Sequence, residues 1–204
     1  TSDGGYLLAG YSDSDSNAMK SEDAIGTGYN VFDEDDWVTY HYEYVDIWLV
    51  KLDADGNLEW ENTIGGDRDD FVSAMLETID GGYIIAANSE SDISGDKTED
   101  CWAPYLNSTD YWIIKLDAEG TIVWQNTIGG EYKDWITSIN QTADGGYILG
   151  GLSRSPITGD KTEAAFCGGE DLWIIKITSI GTIQWQNTIG GCATDRVNSI
   201  EQTA

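Results

Sequence analysis

A 21-residue stretch occurs three times in this chain, as Asp46–Gly66, Asp110–Gly130 and Asp171–Gly191, with successive copies offset by 64 and 61 residues. Each copy holds an apolar segment with a tryptophan (Trp48, Trp112, Trp173). A polar turn leads to a second tryptophan (Trp60, Trp124, Trp185), and the copy closes on Asn-Thr-Ile-Gly-Gly. A fixed period of this size signals units that cannot bury their apolar faces alone and must stack on their neighbours. The period divides the chain into repeat units of about 1–78, 79–142 and 143–204 within one repeat domain, 1–204, expected to be part of a larger array or assembly.

Each unit reads as four strands rich in Val, Ile, Trp, Tyr and Thr, residues suited to a pleated, half-buried surface. The first follows Asp-Gly-Gly-Tyr, which recurs at Asp3, Asp80 and Asp144 as a turn with glycines for the tight reversal. A long polar loop follows, then the two tryptophan strands, then a Gly-Gly corner into a fourth strand at 71–78, 135–142 or 197–203. Ile113 and Ile114 are adjacent and so point to opposite faces, as do Leu49-Val50 and Ile174-Ile175. Sheets apolar on both faces need neighbours on both sides, and radially stacked propeller blades supply them. The expected fold is therefore all-β, with three four-stranded antiparallel propeller-type blades. The last strand, 197–203, is expected to complete the first blade by pairing with 5–11, or to complete a blade of a neighbouring subunit. Closed rings hold about 4–8 blades, so further repeats or other copies are the expected partners.

The chain carries 37 Asp and Glu against 10 Lys and Arg, a formal charge of −27. Such a surface repels phosphate backbones, so no nucleic-acid partner is expected. No apolar run approaches the ~20 residues that a membrane-spanning helix needs, so membrane insertion is not expected. The three cysteines have no zinc-type spacing.

The segments 144–151 (Asp-Gly-Gly-Tyr-Ile-Leu-Gly-Gly) and 158–163 (Thr-Gly-Asp-Lys-Thr-Glu), with Trp-Ile-Ile-Lys and Gln-Asn-Thr-Ile-Gly-Gly, resemble a tandem propeller-like repeat. That repeat belongs to large secreted proteins of Bacteroidetes and other microbes, often ahead of a type IX secretion sorting domain. Asp-Ala-Glu-Gly-x-x-x-Trp is also similar to the turn of pyrroloquinoline-quinone-type propeller blades. The resemblance implies a propeller-type fold and an extracellular or cell-surface setting, and it implies little chemistry, because fold does not fix function.

The loop 12–45 departs most from the repeat. Its Tyr29, Asp33, Asp35, Asp36, Trp37, His41 and Glu43 mix acids with aromatics, a combination that binds a sugar by stacking or a cation through carboxylates. The plainer alternative is an insertion that covers an edge or packs on a neighbouring subunit. Asp13, Asp15 and Asn17 space oxygen ligands two apart, as a calcium loop would, and calcium is the one cofactor the sequence suggests. Asp53, Asp55 and Asn57 are spaced alike, but the equivalent turn Thr178-Ser179-Ile180-Gly181 lacks acids, so their aspartates read as turn formers. Gly-Asp-Lys-Thr-Glu at 95–99 and 159–163, and Asp70, Asp134 and Asp195 before the fourth strands, read as structural because they repeat. His41 is the single histidine, and no catalytic triad is legible. In an extracellular setting Cys167 and Cys192, in the loop and corner of one blade, are expected to pair, with Cys101 free or bonded to another chain. Asn107 heads a short glycosylation sequon.

The leading expectation is a non-enzymatic extracellular binding, adhesion or structural module that engages a glycan through its loops or assembles through its terminal strands. The alternative is a secreted carbohydrate-active hydrolase or lyase that uses the acidic loop 12–45.

Overall fold

The computed structural model describes residues 1–16, 20–26, 44–102 and 108–203, and the backbone alone of 29–32 and 39–42. In chain order the first strands are β1 (Tyr6–Ser12), β2 (Tyr29–Phe32), β3 (Thr39–Tyr42), β4 (Asp46–Leu52) and β5 (Leu58–Ile64). They are followed by β6 (Asp70–Glu77), β7 (Tyr83–Ser89), β8 (Asp110–Leu116) and β9 (Ile122–Ile128). The last are β10 (Asp134–Gln141), β11 (Tyr147–Ser153), β12 (Asp171–Ile177) and β13 (Ile183–Ile189).

The chain is all-β, with three antiparallel sheets ordered β1-β4-β5, β6-β7-β8-β9 and β10-β11-β12-β13, and a separate β2-β3 hairpin inside the loop 12–45. The sheet boundaries differ by one strand from the sequence units. The segment after the Gly65-Gly66 corner pairs forward, Asp70 opposite Ser89 through Glu77 opposite Tyr83, and so opens the second sheet. The reason is the turn: Thr78 N–H donates to the Gly82 carbonyl and Gly81 N–H to the Thr78 carbonyl, closing a tight β6-β7 hairpin. Gly81 there has φ +84°, which disfavours a side chain.

Two expectations are corrected. The first sheet has three strands, not four, and residues 197–203 form no strand among the described residues. They lie across the third sheet: Thr137 Oγ1 donates to the Val197 carbonyl (2.7 Å) and Ala143 N–H to Gln202 Oε1 (2.8 Å). Their apolar side chains explain the placement, since Val197 and Ile200 pack over the bare backbone of Gly150. Among the described residues β1 pairs with β4 alone, and no strand lies on its other edge.

The second sheet buries side chains on both faces. Ile113 joins the core between the second and third sheets, with Ile84, Tyr111, Leu149 and Trp173. Its neighbour Ile114 joins the core between the first and second, with Leu49, Ile85 and Trp112. At the outer strands a second contact repeats. Trp60 lies within van der Waals distance of Gly120, in the β8-β9 turn, and Trp124 of Gly181, in the β12-β13 turn. Asn62 and Asn126 donate to the carbonyls of the same two glycines at 2.9 and 2.8 Å.

Trp185 occupies the equivalent place on the third sheet, faces no such turn and is 51% exposed. Three equivalent tryptophans therefore differ in burial alone. Trp124→Ala is expected to cost about 2–3 kcal/mol, somewhat below a fully buried Trp. Trp185→Ala is expected to stay within about 0.5 kcal/mol in the isolated chain, as surface changes do. Denaturant midpoints of the two variants check this.

Candidate functional site

The loops after β1, β7 and β11 and the Gly-Gly corners meet at one end of the sheets, and there the polar residues concentrate. At the third sheet, Asp160 N–H donates to the Gly129 carbonyl (2.9 Å) while Gly129 N–H donates back to Asp160 Oδ2 (3.2 Å). Lys161 Nζ lies 4.8 Å from the centre of the Trp173 ring and donates to Thr188 Oγ1 at 2.9 Å. Glu163 accepts from Thr188 N–H, and Gln186 ties Trp173 Nε1 to the Asp160 carbonyl. Gly-Asp-Lys-Thr-Glu is thus a strap that fastens the long loop to the preceding corner and to its own sheet. Asp96, Lys97 and Glu99 repeat it one sheet earlier. Lys20 and Glu22 keep part of it in the first, where Lys20 Nζ donates to two loop carbonyls and Glu22 accepts from Thr63 N–H.

Beneath each strap lies a pair of carboxylates. Asp110, the first residue of β8, accepts from Trp102 N–H through Oδ2, and its Oδ1 presses against Gly129, where a Cβ would sit 2.1 Å away. Asp134, the first residue of β10, accepts from Gly130 N–H (2.7 Å) and Ser155 Oγ (3.0 Å). Asp46 and Asp70 are held the same way by Ile25, Gly66 and Ser91. Asp171 and Asp195 form the third pair, through Phe166 and Gly191. The first two pairs are fully buried, and desolvation pushes their carboxyls up: Asp110 to about 8, Asp70 to about 7, Asp46 and Asp134 to about 6. Asp134 adds repulsion to the shift of Asp110, while Lys97 opposes it. Burial pushes the Lys161 ammonium down to about 8.

Shifted acids beside a shifted lysine resemble acid–base machinery. Here the same groups recur under each corner and are engaged by backbone N–H groups of loop and corner, which is the work of a fold. The role of Asp46, Asp110 and Asp171 was missed in the sequence, although the signal was there: aspartate opens all three copies of the 21-residue stretch.

A second lysine set works at the opposite end. Lys51, Lys115 and Lys176 are buried, and each bonds the aspartate of an Asp-Gly-Gly turn (Asp3, Asp80, Asp144) and the carbonyl of its own next residue. At Gly82 a Cβ would lie 2.2 Å from the Leu116 carbonyl oxygen and 2.7 Å from Lys115 Nζ. The second glycine of the turn is needed for that close approach, as the first is for its positive φ.

Of the residues singled out in the loop 12–45, Asp33, Asp35, Asp36, Trp37 and Glu43 lie outside the described residues, as do Asn17 and Asn107. Tyr29 and His41 stand on β2 and β3, where Tyr29 pairs with Tyr42 and Asn30 with His41. Asp13 and Asp15 are exposed. Among the described residues no group of three or more His, Cys, Asp or Glu side chains is placed to hold a metal ion. Asp53 instead accepts from Asp55 N–H, Asn57 N–H and Asn57 Nδ2, so it shapes its turn. Thr178 takes over in the third copy with its hydroxyl, which accepts from Thr182 N–H at 3.1 Å. Cys167 and Cys192 are joined, Cα atoms 4.9 Å apart, and tie the long loop of the third sheet to the corner after β13. Cys101 is free. Its Sγ donates to the Ser89 and Ser91 carbonyls, and burial pushes the thiol up to about 12.

The buried carboxyls fix the sign of a pH dependence. A raised folded-state pKa means that the folded chain holds protons the unfolded chain has released. That stabilisation is full below the ordinary aspartate value and is lost as pH rises through the folded values of about 6 to 8. Asp3, Asp80 and Asp144 act oppositely: their pKa values are lowered, and their stabilisation fades in stronger acid. Thermal stability should peak near the ordinary aspartate value, at about pH 4, and fall by roughly 5–10 °C toward pH 8, at about 2–4 °C per kcal/mol for a chain of this size. Asp110→Asn should flatten the decline. Calorimetry across pH checks it, and an unchanged midpoint from pH 5 to pH 8 would contradict it.

No protein-family model and no curated protein matches this chain.

Proposed function

We propose that the chain is a non-enzymatic module of an extracellular or cell-surface protein, in which propeller-type blades form a scaffold for binding, adhesion or assembly. The observation that carries the reading is the repetition of every buried polar cluster described above. A catalytic centre is normally single, whereas these carboxylate pairs and lysines recur from sheet to sheet and are spent on loop and corner backbone. The blade reading is supported by the connections. The outer strands β5 and β9 each lead through a Gly-Gly corner to the first strand of the next sheet, which also packs against the sheet before it. The Cys167–Cys192 disulfide suits an oxidising compartment.

In this reading the loop 12–45 is the part free to take a ligand, because it is the least bound by the repeat. Its acids and aromatics suit a glycan, and Asp13, Asp15 and Asn17 suit calcium. The test is to replace Asp33, Asp35, Asp36 and Glu43 together with alanine, then measure polysaccharide turnover, glycan-array binding and calcium titration beside the parent chain. The expected outcome is no turnover by either chain, with any glycan or calcium binding weakened in the variant. Turnover by the parent that disappears in a folded variant would replace this reading with the carbohydrate-active enzyme.

A further inference from the structure

The two internal junctions define a rule for how one sheet meets the next. The trailing face of a sheet offers Ile64 or Ile128 from its outer strand, Leu49 or Ile113 from the strand before, and the outer Trp-x-Asn pair. The leading face of the next sheet offers Tyr83 or Tyr147, Trp112 or Trp173, and the glycine of its second turn. At both junctions these residues meet, and the tyrosines end 3% and 1% exposed.

Each face is present once more, and there its outer residues are exposed. The trailing face of the third sheet carries Ile189, 51% exposed where Ile64 and Ile128 are buried, together with Ile174, Trp185 and Asn187. A cleft of about 480 Å³, lined by Ile148, Ile174, Trp185 and Ile200 among others, occupies the place of a following sheet. The leading face of the first sheet carries Tyr6, 59% exposed, with Leu8 and a Trp48 that is only partly buried. Its turn glycine, Gly56, has φ +82° like Gly120 and Gly181 but has nothing within 4 Å of a Cβ. The polar partners match as well. Gly191 faces no serine, whereas Gly66 and Gly130 face Ser91 and Ser155; Ser14 is their counterpart in the first sheet, bonded through its N–H to Ser12 Oγ as Ser91 is to Ser89.

We infer that the trailing face of the third sheet is a docking surface for the first sheet of a second copy of this chain, with Trp185 and Asn187 on the Gly56 turn. The segment 197–203 already lies across the third sheet, where the second copy's β1 can add to it. The registers of Asp70 with Ser89 and of Asp134 with Ser153 place Asp195 opposite Ser12, and Gln202 opposite Tyr6, of the second copy. The two faces differ, so the contact is head-to-tail, and it yields a ring if the rotation closes and a filament if it does not. A charge of −27 per copy opposes the approach, so association strengthens with salt. The inference rests on the blade reading proposed above and names the partner of those blades.

The test is analytical ultracentrifugation of the full chain over a wide concentration range at about 0.05 M and about 0.5 M salt, the screening length falling as salt rises. The expected result is reversible association beyond the 22.3 kDa monomer, tighter at high salt. Trp185→Glu on one face and Tyr6→Glu on the other should each weaken it by about tenfold or more, as loss of a buried interface aromatic does. Both sites are exposed in the single chain, and far-UV circular dichroism verifies that each variant keeps its fold. Mixing the two variants should restore one sound interface and give a capped 1:1 dimer. A parent chain that stays monomeric at high salt, or association indifferent to both substitutions, would overturn the inference. The non-enzymatic reading would survive that outcome, since it falls only on turnover by the parent chain.

Discussion

The structure depends on sheets that are apolar on both faces. A strand such as β8 puts Tyr111 and Ile113 into one core and Trp112 and Ile114 into the other, so the second sheet can exist only between two neighbours. Burial of each such side chain contributes roughly 1.5–3 kcal/mol, and the gain is forfeited where a face meets water. Stacking is therefore the condition of folding, and the outermost faces of the first and third sheets carry the same kind of residues in a more exposed state.

Loops and corners are held by charge, under the same constraint. Six of the ten cationic side chains (Lys20, Lys51, Lys97, Lys115, Lys161 and Lys176) are buried in straps or turns rather than spread over the surface. Buried ammonium and carboxylate groups are tolerable only when bonded, which ties the loop sequence to the strand sequence: Lys161 needs Trp173 and Thr188, and Lys115 needs Asp80. With these cations inside, carboxylates dominate the charge of the exterior.

Much of the fold was legible in the residues. Adjacent Ile113 and Ile114 announced two buried faces, and Asp-Gly-Gly-Tyr and Gly-Gly marked the reversals. The phase of the repeat was not legible. The turn at Asp80-Gly81-Gly82 and the corner at Gly65-Gly66 are both glycine pairs, and only hydrogen bonding shows that the first closes a hairpin while the second passes between sheets. Residues 197–203 match β6 and β10 in sequence, but a strand needs a bonded edge, and none adjoins them among the described residues. The β2-β3 hairpin was hidden by the polar composition of its loop. The carboxylate pairs were half legible: repetition marked Asp70 and Asp134 as structural, while the sequence reading did not single out Asp46 and Asp110, whose burial follows from the loops folded above them.

The central claim, that a sheet is stable in proportion to the faces covered, is tested most directly by native-state amide hydrogen exchange on the dilute chain. The account predicts slowest exchange in β7 and β8, which are covered on both sides, with equivalent amides of β4 and β12 opening at lower free energy. Equal protection of β4, β8 and β12, or least protection in β8, would contradict it.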